Sequence, residues 1–370
     1  MDDKVAGILP AMRMLLSSNI SLISDNTQIS DFCNNDNPLI VENTKDADKA
    51  ISEFQVNLEK YRTDYGCNPK MVILRDLGLV SVSDDSIELC KKSSYATVIE
   101  NKIVVITGGA QGFGGGIAEQ MMALNANVVI ADLNEEAGLQ MAARLNEAGK
   151  KNRAVFIKTD VSSAVSVQRL MIETVKQFGG LDVFISNAGI LRAGGLEEMT
   201  PETFELMTKI NYTGYFFCAK YASEVLKLQA KYKPGYFTDI IQINSKSGLK
   251  GSNKNFAYAG GKFGGIGLTQ SFALELMQYG IKVNSVCPGN FFDGPLWSDP
   301  EKGLFVQYLN AGKVPGANTI ADVKAFYEAQ VPAKRGCTVE DVMKAILYII
   351  DQKYETGQAI PVTGGQNMLN

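Results

Sequence analysis

The stretch IVVITGGAQGFGGGIAEQ, residues 103–120, predicts the fold of this 370-residue chain. Four β-branched apolar residues, typical of a buried strand, lead directly into a glycine-rich turn and then into a segment with helical spacing. Gly108, Gly112 and Gly114 are spaced as TGxxxGxG. A phosphate reaches the backbone N–H groups at a helix N-terminus only where no Cβ blocks it, so this stretch indicates a dinucleotide-binding turn. On the glycines alone, a tight turn in some other α/β protein remains the alternative.

From Lys102 onward, strand-like and helix-like segments alternate along the chain. The predicted strands are KIVVITGG, NVVIAD, AVFIKTDV, LDVFISNAG, DIIQINS, KVNSVCPG and GQAIPVTGG. Helical segments separate most of them, and such alternation is typical of βαβ units. The sequence therefore predicts an α/β protein with a Rossmann-type, doubly wound parallel sheet over residues 99–370.

Residues 1–98 do not follow this alternation. KDADKAISEFQVNLEKYRTDYG predicts an amphipathic helix, and MVIL and LGLVSV predict two strands around Arg75 and Asp76. SDDSIELCKKSS predicts a further helix, capped by Asp85 or a nearby serine. The stretch before Thr44 is rich in Asn, Asp and Ser and predicts a loop. We therefore expect a small α+β N-terminal extension, with a boundary near residue 98.

Composition and charge exclude several classes of function. The formal net charge of −4 disfavours a nucleic-acid partner, and no apolar run is long enough to span a bilayer. The start, MDDKVAGILPAMRMLLSS, is acidic where a secretory signal is basic, which predicts an amphipathic segment in a cytoplasmic protein. With no histidine, the chain has no Ser-His-Asp triad, Cys-His pair or His-containing zinc site. Six cysteines without a CxxC pattern predict reduced, structural thiols and no metal.

Polar residues after three further strands extend the predicted cofactor site. Asp132 ends the second strand, where a carboxylate accepts hydrogen bonds from both ribose hydroxyls of NAD and repels the 2′-phosphate of NADP. Asp160 and Val161 follow the third strand and are placed to reach the adenine. Asn187, Ala188 and Gly189 follow the fourth, where small residues let the backbone lie against the cofactor. These positions predict NAD as the cofactor.

A second constellation lies downstream, in the strand IIQINS and the segment NFAYAGGKFGG. Tyr258 and Lys262 are four residues apart, so they share one helix face, where a lysine cation stabilises a tyrosine phenolate. Ser245 is placed to hydrogen-bond the reacting oxygen, and Asn211 to polarise a backbone or water link to the lysine. A lone YxxxK is usually a surface helix face. All four residues in this order after the glycine turn indicate hydride transfer with Tyr258 as acid or base.

These motifs resemble the short-chain dehydrogenase/reductase family over residues 100–370. The resemblance implies a Rossmann-type fold, a nicotinamide cofactor, a homotetramer and an Asn-Ser-Tyr-Lys tetrad, here Asn211, Ser245, Tyr258 and Lys262. Both Tyr258 and Lys262 would also touch the cofactor. The other cofactor-binding positions that it implies are Gly108, Gln111, Gly112, Phe113, Gly114, Asp132, Asp160, Val161, Asn187, Ala188, Gly189, Pro288 and Gly289.

Within that family, DIIQINSKSG, YAGGKFGGIGLTQSFALEL, VPAKRGC and TGQAIPVTGGQNM are similar to sorbitol-6-phosphate 2-dehydrogenases. The resemblance implies NAD-dependent interconversion of sorbitol 6-phosphate and fructose 6-phosphate. The alternatives are a short-chain reductase of an unphosphorylated polyol, alcohol or ketoacyl substrate, and a nucleotide-sensing protein without catalysis. For a phosphorylated substrate, Arg192 and Lys246 are the candidate anchors, since both follow strands at the ligand-binding edge. Solvated surface charges are the other interpretation of both residues.

The N-terminal extension resembles, through NPKMVILRDLGLVSVSD, the join in proteins that fuse a class II sugar-phosphate aldolase to such a dehydrogenase. Those aldolases use histidine zinc ligands, and this chain has no histidine. We therefore expect no aldolase chemistry. A docking or oligomerisation module is the expectation for the extension, with an inert remnant as the alternative.

Overall fold

The computed structural model describes residues 3–24, 37–86, 98–147, 152–301, 303–310, 312 and 314–368. The strands are β1 (Ser18–Ser24), β2 (Leu39–Val41), β3 (Met71–Leu74), β4 (Gly78–Ser86), β5 (Ile103–Thr107), β6 (Asn127–Asp132), β7 (Ala154–Lys158), β8 (Val183–Ser186), β9 (Thr238–Ile243), β10 (Ile281–Pro288) and β11 (Ala359–Val362). The helices are α1 (Lys4–Leu16), α2 (Ala47–Tyr65), α3 (Gly112–Ala123), α4 (Glu135–Asn146), α5 (Ala164–Phe178), α6 (Pro201–Thr208), α7 (Gly214–Tyr232), α8 (Phe256–Leu276), α9 (Pro295–Ser298), α10 (Leu304–Asn310), α11 (Ile320–Ala329) and α12 (Val339–Asp351).

Seven strands form a parallel sheet in the order β11–β10–β9–β8–β5–β6–β7. After β5, the chain adds β6 and β7 on one side of that strand. It then returns to pair β8 with the other side of β5, and β9, β10 and β11 follow outward from β8. In sheets of this kind, ligands bind at the carboxyl ends of the strands where the order reverses. The predicted Rossmann-type, doubly wound fold is confirmed.

Both faces of the parallel sheet are buried, because successive side chains of a strand point to opposite sides. Ile103 and Val105 belong to one core with residues of α1, α5, α7 and α8. Val104 and Ile106 belong to the other, with residues of α3, α4 and α12. Burial on both sides explains why β5 is apolar at nearly every position, as buried parallel strands usually are.

The N-terminal extension has its own four-stranded sheet, in the order β1–β4–β3–β2. Strands β3 and β4 pair antiparallel, with Ile73 opposite Leu79, and β2 joins β3 in parallel. Helix α1 contacts α2 on one side and α5 and α7 of the larger unit on the other. The extension is thus an additional layer packed on its own chain.

A buried ion pair fastens this layer to the parallel sheet. Arg13 of α1 donates two hydrogen bonds to Asp182, at 3.0 and 2.7 Å, and both side chains are fully buried. Asp182 also accepts the N–H of Ile103 at 2.8 Å and the hydroxyl of Tyr236 at 2.8 Å. Burial opposes ionisation of Asp182, but the Arg13 and Lys102 cations outweigh it and hold its pKa below the usual value. The carboxylate therefore stays charged inside the protein.

Two local predictions for the extension were wrong. The stretch before Thr44, predicted as loop, contains β1, which pairs antiparallel with β4; that long-range pairing leaves no local signal. The predicted helix over SDDSIELCKKSS, with its cap at Asp85 or a nearby serine, falls mostly on residues 87–97, which lie outside the described part; the backbone of Asp85 lies in β4. Helix α1 is buried on nearly all sides, including Pro10 and Arg13, and is not amphipathic. A helix enclosed between two layers has no solvent face to keep polar.

Between β10 and α12, three short helices gather around an aromatic cluster that the strand pattern did not predict. Phe292, Trp297 and Phe305 are buried there, and the Trp297 ring meets those of Tyr308 and Tyr327 edge to face. This segment follows the carboxyl end of β10 and so lies next to the ligand edge of the sheet. Among the described residues, no helix has both the length and the apolar character needed to cross a membrane.

We predict that Arg13→Met destabilises the whole protein, because it leaves the Asp182 carboxylate buried without its main counter-charge. Breaking a buried pair in this way typically costs about 3–5 kcal/mol. The matched control is Arg75→Met, which removes a two-bond pair with Glu42, at 2.7 Å each, on the exposed surface of the same extension. An exposed pair of this kind contributes little to stability, because water and salt screen it. Urea unfolding measures both variants; equal losses would contradict the anchoring role of Arg13.

Candidate active site

The glycine-rich turn forms an open cradle at the N-terminus of α3. Gly108 and Gly112 have φ values of +62° and +60°, which L side chains adopt only with strain. A Cβ on Gly114 would lie 2.0 Å from the carbonyl oxygen of Gly108. Gln111 precedes the helix without a side-chain capping bond, and the first turn carries no acidic residue. The helix N-terminus is therefore free to receive an anion, which its dipole and N–H groups favour.

Asn187 locks the cradle to the neighbouring strand. Its Nδ2 atom donates to the carbonyl oxygens of Thr107 and Gly108, at 3.0 and 3.1 Å. The Thr107 hydroxyl in turn accepts the N–H groups of Asn187 and Ala188, at 3.0 and 3.1 Å. Gly189 follows, with the side chain of Asn211 beside it. The carboxyl ends of β5 and β8 are thus joined where the strand order reverses, so the geometry fits a dinucleotide's pyrophosphate.

Two carboxylates lie beside the cradle at the ends of the next strands. Asp132 ends β6 and accepts the N–H of Ala110 and that of Asn134, each at 3.0 Å. Asp160 follows β7 and accepts the N–H of Ser162 at 2.8 Å. Val161 is buried against Gly214 of α7. Asp132 is held against the glycine-rich turn itself, the position from which a carboxylate reaches the ribose of a nucleotide in the cradle.

Helix α8 and the end of β9 bring Tyr258, Lys262 and Ser245 together. Lys262 is 5% exposed, and its Nζ atom lies 5.6 Å from the centre of the Tyr258 ring. That Nζ donates to the carbonyl oxygen of Ile243, at the end of β9, at 2.8 Å. The spacing of four residues thus places both side chains on one helix face, as predicted.

Burial sets the acid–base character of this pair. It raises the pKa of Tyr258 above its ordinary value, and a hydrogen bond with Ser245 offsets part of the rise. It lowers the pKa of Lys262 to about 8, because the ammonium is removed from water. A lysine with this pKa is mostly charged near neutrality, so a cation lies 5.6 Å from the ring centre of a tyrosine whose own pKa is raised by burial.

Asn211 lies in a π-helical turn, Lys209–Thr213, that joins α6 to α7. Its Oδ1 accepts the N–H of Ile190 at 2.9 Å, and its Nδ2 donates to the carbonyl oxygen of Ile190 at 2.8 Å. The side chain therefore holds the loop that follows β8, and the π-turn packs against α8, where the Asn211 Cβ lies near Gly261. Single π-turns inserted in α-helices are common at functional sites.

Two residues near the tetrad were not predicted from sequence as site residues. Asn244 is buried and donates to the carbonyl oxygen of Lys262 at 2.9 Å, while its Oδ1 accepts the N–H of Ser245 at 2.8 Å. It thereby joins β9 to α8, and its only sequence signal was its place before the serine. Cys287 is buried beside Lys262, and burial raises its pKa to about 12, so it is an unreactive thiol.

The two candidate phosphate anchors differ in their surroundings. Arg192 is exposed on the loop after β8. Lys246 is partly buried, directly after Ser245, and burial lowers its pKa. Among the described residues, neither side chain has an ion-pair partner. Pro288 ends β10 and Gly289 follows it; the N–H of Gly289 donates to the carbonyl oxygen of Val362 of β11 at 2.9 Å.

The chain is similar to known oxidoreductases over most of its length. The family model for short chain dehydrogenases matches residues 102–297. Sorbitol-6-phosphate 2-dehydrogenase of Escherichia coli is 35% identical over 272 residues, covering 73% of this chain and all of the relative. Galactitol 2-dehydrogenase of Agrobacterium fabrum is 30% identical over 272 residues, covering 73% of this chain and 99% of the relative.

A solved structure shows the same likeness. The crystal structure of sorbitol-6-phosphate 2-dehydrogenase from Erwinia amylovora is 36% identical, with a TM-score of 0.65. It is matched over its full length and covers 72% of this chain. The relatives therefore correspond to the Rossmann-type unit, and the match to the family model begins at residue 102, after the extension. On these matches, and with a nucleotide cradle and a Ser-Tyr-Lys cluster at the ligand edge of its sheet, the chain belongs to the short-chain dehydrogenase family of nicotinamide-dependent oxidoreductases.

Proposed function

We propose that this protein is an NAD-dependent dehydrogenase that interconverts a polyol phosphate and a keto-sugar phosphate, with sorbitol 6-phosphate and fructose 6-phosphate as the substrate pair. The observation that carries the chemistry is the Lys262 ammonium 5.6 Å from the Tyr258 ring, with Ser245 beside it. The choice of substrate rests on the full-length similarity to two sorbitol-6-phosphate 2-dehydrogenases.

The roles of the side chains follow from their positions. The glycine cradle at Gly108, Gly112 and Gly114 would hold NAD, which would supply the acceptor for the hydride of the alcohol carbon. Tyr258 takes the hydroxyl proton as that carbon becomes a carbonyl, and returns it in the reverse direction. Lys262 stabilises the phenolate that makes Tyr258 basic, and Ser245 hydrogen-bonds the reacting oxygen. Asn211 fixes the loop after β8, so the wall of the site stays in place during turnover.

We predict that Tyr258→Phe lowers kcat by about 10²–10⁴, the usual contribution of general acid–base catalysis, because the phenol oxygen is the proton carrier. NADH affinity, measured by fluorescence titration, should stay close to wild type. Tyr354→Phe is the control, since that ring is 98% exposed. Wild-type turnover in Tyr258→Phe would remove this residue from the mechanism.

Asp132 is the residue that we propose selects NAD over NADP. Its carboxylate would accept hydrogen bonds from the ribose hydroxyls, and it would repel a 2′-phosphate as a like charge. We predict that Asp132→Ala weakens NAD roughly 10-fold and relaxes the preference, since charged hydrogen bonds are worth about 1.5–3 kcal/mol. Asp132→Asn keeps the shape without the charge, so it should relax the preference with a smaller loss of NAD affinity. A native preference for NADP would contradict the assignment.

Lys246 and Arg192 are the proposed contacts of the substrate phosphate. A dianion needs cations to offset its lost hydration, and Lys246 is partly desolvated without a carboxylate partner in the described structure. We predict that Lys246→Ala or Arg192→Ala raises KM for sorbitol 6-phosphate roughly 10- to 100-fold, the value of a charged hydrogen bond. NAD affinity should be unchanged. Lys250→Ala, an exposed lysine four residues after Lys246, is the control.

A second candidate function is oxidation of an unphosphorylated polyol, which the similarity to galactitol 2-dehydrogenase favours. A panel of polyols and their phosphates, assayed by NADH absorbance, separates the two. Equal efficiency on sorbitol and sorbitol 6-phosphate would exclude the phosphate-specific proposal. No NADH formation with any alcohol would favour a nucleotide sensor instead.

We further propose that the protein is a cytoplasmic homo-oligomer, a tetramer by family analogy. Large apolar side chains are exposed along α7 and α8, namely Phe216, Phe263 and Leu274, the last 86% exposed. An apolar surface of this kind is typical of contacts between subunits.

A further inference from the structure

The last described residues, 363–368, fold back from β11 toward the site, and we name them the C-terminal hook. Gly364 and Gly365 turn the backbone with φ values of +59° and +86°. The Thr363 hydroxyl then closes the turn, accepting the N–H of Asn367 at 3.4 Å and donating to its carbonyl oxygen at 3.2 Å. The hook thus has a defined shape and directs the side chains of Gln366 and Asn367.

Asn367 reaches the residue after the catalytic serine. Its Nδ2 atom donates to the carbonyl oxygen of Lys246 at 2.9 Å. The same carbonyl accepts the N–H groups of Leu249 and Lys250, at 3.0 and 3.1 Å, which closes the short turn Lys246–Gly248. Asn367 therefore adds a side-chain hydrogen bond that holds this turn from a distant part of the chain.

The rest of the hook holds the segment that carries the aromatic cluster. Gln366 Oε1 accepts the N–H of Asn290 at 3.1 Å, directly after Gly289. The carbonyl oxygen of Gly364 accepts the N–H of Ala333 at 3.0 Å, near the end of the same segment. The two ends of residues 290–333 are thus fastened to one short turn of the chain.

Ser245 has fixed contacts of its own, whereas the Lys246 side chain does not. The Ser245 N–H is held by Asn244, and its hydroxyl accepts the N–H of Ser247 at 3.1 Å. Within the described structure, the Lys246 amine has neither a hydrogen-bond nor an ion-pair partner, although burial lowers its pKa. What holds the backbone at Lys246 therefore fixes the point from which this cation extends.

We propose that Asn367 is a positioning residue for the substrate phosphate, acting through Lys246. The inference rests on the proposed function, because it takes Lys246 as the phosphate contact. Asn367 holds the backbone of Lys246 so that its amine meets the phosphate while Ser245 and Tyr258 act on the carbonyl end.

The test is a double-mutant cycle of Asn367→Ala and Lys246→Ala, with steady-state reduction of fructose 6-phosphate and of fructose by NADH. We expect Asn367→Ala to raise KM for fructose 6-phosphate roughly 3- to 10-fold, the value of one neutral hydrogen bond. KM for fructose and the Kd of NADH should not change. In the Lys246→Ala background, removing Asn367 should have little further effect, since residues that act through one contact are not additive.

The matched control is Asn57→Ala. Asn57 also donates through Nδ2 to a backbone carbonyl, that of Ile40, at 2.9 Å, but it lies in the N-terminal extension. The Asn57→Ala variant should have the same KM values, kcat and Kd of NADH as the wild type.

The outcomes separate the inference from the proposed function. If the wild type does not distinguish fructose 6-phosphate from fructose, the phosphate proposal fails and the role of Asn367 fails with it. If the wild type does distinguish them but Asn367→Ala acts equally on both ketoses, the positioning role alone is overturned. The positioning role is also overturned if Asn367→Ala raises KM for fructose 6-phosphate as much in the Lys246→Ala background as in the wild type.

Discussion

The buried carboxylate of Asp182 is the interaction on which the rest of the structure depends. It lies immediately before β8, accepts the first N–H of β5 and the hydroxyl of Tyr236, just before β9, and receives the two hydrogen bonds of Arg13. A carboxylate in this position is costly unless it is paired and fully hydrogen-bonded. Because all these partners meet at Asp182, the amino ends of β5, β8 and β9 are joined at one point. The same carboxylate binds Arg13, so the N-terminal extension is joined to the parallel sheet.

The opposite ends of those strands carry the chemistry. The cradle follows β5, Asn187 follows β8 and Ser245 follows β9, so the spacing of the strands sets the distances between the cofactor and the acid–base pair. Parallel strands locked at one end and hydrogen-bonded along their length leave little freedom at the other. Site residues on such elements are held more precisely than residues on loops alone. Asn244 and Asn187 complete this arrangement by joining neighbouring segments at the ligand edge.

The extension adds a layer that the relatives lack, since they match at full length without it. Its helix α1 packs on α5 and α7, and β1 packs on α5; the Arg13–Asp182 pair joins it to the amino ends of the strands. The extension therefore supplies no described side chain to the cradle or to the tetrad. Its physical contribution lies in burial of apolar surface and in the Arg13 charge, both at the end of the sheet opposite the chemistry.

The sequence by itself determined the parallel sheet, because alternating apolar strands and helices have few other stable arrangements, and it identified the cradle, because only glycines admit a phosphate there. It also determined that Tyr258 and Lys262 share a helix face, since that follows from local spacing. The pairing of β1 with β4, the burial of α1 and the pairing of Arg13 with Asp182 were decided by tertiary structure. Each joins residues far apart in the chain, so no local pattern encodes it. Tertiary structure also decided the roles of Asn244 and of the C-terminal hook. Asn244 links β9 to α8, and Asn367 of the hook contacts Lys246, which lies 121 positions earlier in the chain. Both contacts exist only once the sheet has formed.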